Sequence, residues 1–277
     1  MIILREPVFN GSFYPKYKGE IEEFIDSAIA KADIKEDLSD AKCYVAPHAG
    51  FIYSGYTAAY TYKAMESNSN LKDVDTVVLI GPNHTGIGTP LSISFEDWRT
   101  PLDTAKNDLE FSKELVNYSD NIYHDESAHA DEHSLEVQLP FLQRVVGKKK
   151  YVFACMGDQE VENSELLSKA IISTAQKLKR NIIVLASSDF DHYEKSTVAN
   201  KKDMKLAEYL KDMDYIGFNK EVKALDDSIC GFGPITVALL CSKYYGAKNG
   251  KLLNFSNSGD KTGDYDQVVD YMSWIFI

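Results

Sequence analysis

Paired cysteines, surplus positive charge and long apolar runs are all missing from this chain, and each absence removes a class of protein. The four cysteines, Cys43, Cys155, Cys230 and Cys241, include no C-x-x-C pair, so neither a zinc ribbon nor a thioredoxin-like motif is present. Thirty Lys and Arg stand against 42 Asp and Glu, a formal charge of −12. Binding a phosphate backbone needs a concentrated basic surface, so no nucleic-acid partner is expected. Lys148-Lys149-Lys150 and Lys201-Lys202 read as solvated helix or loop ends. No apolar run approaches the ~18 residues of a membrane span, so no membrane partner is expected. The start, Met1-Ile2-Ile3-Leu4-Arg5-Glu6-Pro7, is too short and wrongly flanked for a signal peptide, and a cytoplasmic protein is the expectation. No strand is followed by G-x-G-x-x-G or G-x-x-x-x-G-K-[ST], which excludes the usual nucleotide loops and with them a nucleotide cofactor. G-x-S-x-G and H-E-x-x-H are also absent.

The 277 residues are 44% hydrophobic and 26% charged, ordinary for a globular chain long enough to build one large core. Apolar residues at helical spacing mark 17–32 and about 54–66, and helices are expected near 106–117, 132–146 (with Pro140 as a kink), 163–179, 199–225 (two) and from Pro234. Buried-type strands are read at Cys43–Ala46, Thr76–Ile80, Tyr151–Cys155 and Ile182–Ala186. Alternating or ribbon-like strands are read at 91–95, 98–102, Leu252–Ser256 and Gln267–Ile277. Strands alternating with helices predict a mixed, largely parallel sheet covered on both faces, and 1–277 reads as a single α/β domain.

One device recurs three times. The first strand runs into Pro47-His48-Ala49-Gly50, the second into Gly81-Pro82-Asn83-His84, and a later one into Ser187-Ser188-Asp189-Phe190-Asp191-His192. Strand carboxyl ends line one rim of an open α/β sheet, where ligand crevices form. Two imidazoles and an acid could meet there as metal ligands or as an acid/base centre. The plainer alternative is that the histidines bond loop carbonyls and that Ser188, Asp189 and Asp191 cap a following helix. Cys230, in the turn Cys230-Gly231-Phe232-Gly233-Pro234, is a further ligand candidate, while the other three cysteines read as small buried hydrophobes. In His124–Glu136, His129 and His133 would share a helical face. The acidic run reads as a helix start, with His133 lining the cleft.

At these motifs the chain resembles the Memo (mediator of cell motility) family, whose fold is similar to that of class III extradiol ring-cleaving dioxygenases. Matching stretches are Gly11-Ser12-Phe13-Tyr14-Pro15, Ala46-Pro47-His48-Ala49-Gly50 with Tyr53-Ser54-Gly55, Gly81-Pro82-Asn83-His84 and Trp98 with Thr100-Pro101-Leu102. Glu132-His133-Ser134-Leu135-Glu136-Val137-Gln138-Leu139-Pro140, Ser187 to Tyr193 and Cys230-Gly231 complete them, in order along nearly the whole chain. The resemblance implies a dioxygenase-like pocket with His48, His84 and Cys230 as metal ligands. His192 would act as acid/base beside Asp189, and His133, Tyr53 and Tyr14 would line the cleft. Cys230 falls where the dioxygenases have a carboxylate. Fe(II) or copper is the implied cofactor, with zinc possible, and the implied activity is redox or oxygen-dependent chemistry on an unknown small molecule or peptide. Eukaryotic members are associated with phosphotyrosine peptides, and prokaryotic relatives are often encoded near radical-SAM proteins, a possible pathway partner. The alternatives are a non-catalytic module that recognises a (phospho)peptide or small anion in the cleft, and zinc hydrolysis with His192 or Asp189 as base.

Overall fold

The computed structural model describes residues 4–34, 38 and 41–277; Met1–Ile3, part of the chain start read above, lie outside it. Among the described residues, twelve strands form one sheet. Its middle runs in the order Thr104–Asn107, Lys150–Met156, Thr76–Pro82, Ile182–Ser187, Cys43–Ala46, all parallel. Antiparallel strands flank this block, among them Val268–Phe276, which pairs with Cys43–Ala46 and also with Gly250–Asn257. The sheet is therefore mixed and largely parallel, as the alternation of elements predicts.

The central strands are apolar on both faces because both faces are covered. Along Thr76–Pro82, Val78 and Ile80 point into one core while Val77 and Leu79 point into the other, the period of two that a pleated strand imposes. The first core takes Phe111, Leu167, Ile171, Leu206, Ile235 and Leu239 from its helices. The second takes Ile21, Ile25, Ala59, Tyr62, Leu139 and Phe141 from Lys18–Lys31, Phe51–Glu66 and Leu139–Val145. Each such side chain removed from water contributes about 1.5–3 kcal/mol, so the site rim rests on a rigid double-sided platform. No helix among the described residues is long and apolar enough to cross a membrane.

Several elements differ from the sequence reading. Residues 132–135 are turn rather than helix; a 3-10 turn spans Glu136–Gln138 and the α-helix only Leu139–Val145. Pro140 therefore sits in the first turn, where its missing N–H costs nothing, and kinks no helix. Thr104–Asn107 is a strand, so the helix expected near 106–117 begins at Leu109. Asp191 caps no helix: a short strand, His192–Glu194, follows it, and its carboxylate accepts from the Ser228 hydroxyl (2.5 Å) and amide (3.1 Å).

Candidate metal centre

Thr76–Pro82, Ile182–Ser187 and Cys43–Ala46 are consecutive, parallel strands. Their carboxyl ends must therefore deliver His84, Asp189 and His48 to one stretch of rim. The structure brings them around a cavity of about 550 Å³, whose lining also includes His133, His192 and Cys230. His48, His84 and His133 each offer a ring nitrogen, and these atoms lie within 4.8 Å of one another. The ring centres are 5.2 Å apart for His48–His84 and His48–His133, and 4.5 Å for His84–His133.

Hydrogen-bond accounting fixes which nitrogens face inward. The Ser187 hydroxyl has one proton, and it is donated to the Ser134 carbonyl at 2.7 Å. That oxygen can then only accept from His48 Nδ1 at 2.9 Å, so Nδ1 carries the hydrogen and Nε2 keeps its lone pair. Gln138 Nε2 also donates to Ser187 Oγ (2.8 Å) and to the Pro47 carbonyl (3.0 Å), tying together the ends of two strands. His84 repeats the scheme with a carboxylate: Nδ1 lies 2.9 Å from Glu132 Oε1, an acceptor only, so Nδ1 carries a hydrogen and Nε2 is the ring nitrogen without that partner. Second partners of this kind set the tautomer and orientation of metal-ligating histidines.

Glu132 is fully buried. Burial raises its carboxyl pKa, but the His84 ring and the Ser134 and His84 amides outweigh that and hold it down to about 2. It stays ionised. His133 goes the other way: burial, then the neighbouring His84, lower it to about 4. Burial, then His133 and His84, likewise hold His48 well below the ordinary range. Neutral imidazoles with free lone pairs are what a divalent metal requires.

Cys230 stands against His48, its Sγ 3.3 Å from Nε2, and the Asp189 amide donates to the same sulfur at 3.2 Å. Burial, then the Asp189 carboxylate, push its thiol pKa up; a cation between Sγ and Nε2 would reverse that. A sulfur and a nitrogen ligand of one tetrahedral ion sit about 3.5 Å apart, close to the separation here. The three-way cluster, however, is completed by His133, with Cys230 beside His48. The turn carrying Cys230 has no room for a side chain at Gly231, where a Cβ would lie 2.6 Å from the Ser187 carbonyl oxygen. Gln159, past the end of Lys150–Met156, pins the same turn by donating to the Cys230 carbonyl (2.8 Å) and accepting from the Gly233 amide (2.9 Å).

Asp189 is held by the His48 and Ala49 amides on Oδ1, at 2.7 and 3.3 Å, with its other oxygen 4.0 Å from His48 Nε2. Burial raises its pKa, and His192 and those amides oppose the rise. His192 Nδ1 lies 3.1 Å from the Ser228 carbonyl oxygen and must donate to it, so its Nε2 is the free nitrogen at the cavity. Of the two tyrosines expected at the cleft, Tyr14 is buried with its hydroxyl on Glu136 (2.8 Å), and its neighbour Phe13 lines the cavity instead. Tyr53 lines an adjoining cavity. His129 is buried under Trp98, away from this centre.

Fold and site together define an α/β protein with a candidate three-histidine metal centre at its strand carboxyl ends. The chain matches the family described as Memo-like protein over residues 5–275. It is 39% identical to a MEMO1 family protein of Methanopyrus kandleri, with 98% of each chain covered. It is also 39% identical to one of Thermoplasma volcanium (98% of this chain, 97% of that one) and 36% identical to one of Nitrosopumilus maritimus (99% and 100%). The chain belongs to the Memo family.

Proposed function

We propose that this protein binds a first-row transition metal, Fe(II) or copper, through His48, His84 and His133 with Cys230 at the side, and carries out redox or oxygen-dependent chemistry on a small molecule or peptide. The carrying observation is the pair of imidazoles whose Nδ1 protons are committed to Ser187 and Glu132, leaving both Nε2 atoms as ligands. When bound, the metal would supply a redox-active centre with positions open to substrate. Nitrogen ligands with one thiolate suit copper or iron and do not exclude zinc.

The protein's own part is positioning and proton handling. Ser187 and Glu132 hold the rings. Phe13, packed on His133 with ring centres 4.6 Å apart, keeps that side of the cavity apolar. His192 Nε2 can take or give a proton at the cavity, and Asp189 keeps His48 in place through its amide. Metal analysis of protein purified without oxygen tests the reading: the wild type should hold about one equivalent and the His48→Ala/His84→Ala variant almost none. Equal contents would remove the proposal. Oxygen uptake by the iron-loaded protein on candidate reductants separates turnover from a cleft that only binds.

A further inference from the structure

A second cavity, of about 250 Å³, lies between Lys18–Lys31, Phe51–Glu66 and Gly250–Asn257. It adjoins the metal cavity, because Gly50 lines the latter and a Cβ at Gly50 would lie 3.7 Å from the Tyr53 ring. Tyr53, Tyr56 and Tyr60 form its aromatic side. Two ammonium groups converge on one of these rings, Lys31 Nζ 4.7 Å and Lys261 Nζ 4.8 Å from the centre of Tyr56. Among the described residues neither has a carboxylate within ion-pair distance. Asp260, the acid on the lining, is already engaged, accepting from the Asn257 amide at 3.0 Å and the Tyr265 hydroxyl at 3.4 Å. In a chain of net charge −12, two unpaired cations on one small cavity do not reflect a generally basic surface.

The other wall is polar. Thr57 bonds both Asn254 and Ser256 there, its Oγ1 3.1 Å from Asn254 Oδ1 and 2.5 Å from Ser256 Oγ. Cations for an anionic group, a wall of hydroxyl and amide groups and aromatic sides describe one ligand chemistry. We propose that this cavity binds a hydroxylated organic anion of the sugar-phosphate class, independently of the metal centre. At roughly 30 Å³ of liquid volume per water, it has room for one sugar ring with one phosphate.

Titration calorimetry on the full chain, stripped of metal, tests this with glucose 6-phosphate, glucose and inorganic phosphate. Glucose 6-phosphate should bind at least tenfold tighter than either fragment, and added salt should weaken it. The exposed pair Lys31→Gln/Lys261→Gln should lose at least tenfold in affinity while melting as the wild type does, and His48→Ala should bind normally. No binding at millimolar glucose 6-phosphate would overturn the proposal, as would binding that the lysine variant leaves unchanged. If His48→Ala abolishes binding in a protein that still melts normally, the ligand occupies the metal cavity and the proposal is wrong.

Discussion

His84 gives both of its donors to one carboxylate: its amide lies 2.5 Å from Glu132 Oε2 and its ring Nδ1 2.9 Å from Oε1. Glu132 Oε1 also lies 3.4 Å from His133 Nδ1, so one buried acid holds His84 and stands against a second of the three clustered imidazoles. Glu132→Gln keeps the shape but puts a donor or a weaker acceptor against His84 Nδ1. Such second-partner changes typically lower metal affinity about 10–100-fold. Competition with a chromophoric chelator should show a loss in that range, with the fold retained by circular dichroism.

Glu136 performs the matching task for the chain start. It is fully buried and accepts from Arg5 Nη1 (2.6 Å), the Phe9 amide (2.8 Å) and the Tyr14 hydroxyl (2.8 Å). Arg5 also donates to the His129 carbonyl at 2.9 Å and lies 4.1 Å from the centre of the Trp98 ring. Neutralising one partner leaves a buried charge unpaired, so Glu136→Gln should cost about 3–5 kcal/mol. Urea unfolding checks this, and a loss below about 1 kcal/mol would contradict the pairing.

Four aspartates crowd behind His192: Asp191, Asp203, Asp227 and Asp270. Asp203 and Asp270 are close enough to share a proton in a hydrogen bond, while Asp191 Oδ2 and Asp227 Oδ2 have no hydrogen-bond donor. Lys202, 3.5 Å from Asp191 and also paired with Glu194, is the cation at their edge. Burial, then neighbouring carboxylates, push Asp227 up to about 6 and Asp203 well above the ordinary range; burial is also the main cause that takes Asp270 to about 7. Raised carboxyls favour the folded state below the ordinary carboxylate range, near pH 4. That contribution is lost as pH rises through about 6 to 7. The depressed histidines act in the opposite sense, so the informative quantity is the difference between variant and wild type. Asp203→Asn should gain stability relative to the wild type as pH rises from about 5 to about 8, measured by denaturant melts. A difference independent of pH would refute it.

Gly231 has no room for a methyl group, with the Ser187 carbonyl oxygen and the Ser188 Cβ both 2.6 Å from where it would sit. Gly231→Ala should displace the Cys230 turn, costing about 1–3 kcal/mol and weakening the Cys230–His48 contact. A thiol-reactive probe should then label Cys230 faster than in the wild type.

The strand-end pattern made much of this legible. His48, His84 and Asp189 are placed by the ends of three adjacent parallel strands, and a buried run followed by Pro, Gly and a ligand-type residue announces each. His133 and Glu132 were harder to read. In sequence, Glu132 and Glu136 look like acids favouring a helix start, whereas both are buried acceptors, for His84 and for Arg5 and Tyr14 respectively, and 132–135 turns instead. Nothing local distinguishes a solvated acid from one whose partners arrive from residues 5 or 84. Ser187 and Gln159 are illegible in the sequence for the same reason: their roles exist only once separate strands meet. The Gly11–Pro15 motif faces the cavity through Phe13 and the core through Tyr14, a one-residue alternation that the sequence does not announce.

The most direct measurement is a crystal structure of the protein loaded with Fe(II) without oxygen. It should show a single ion within about 2.0–2.4 Å of Nε2 of His48 and of His84, with His133 completing the nitrogen set and Cys230 Sγ at or beside the coordination sphere. An ion bound elsewhere, or these imidazoles turned away from a shared one, would contradict the account.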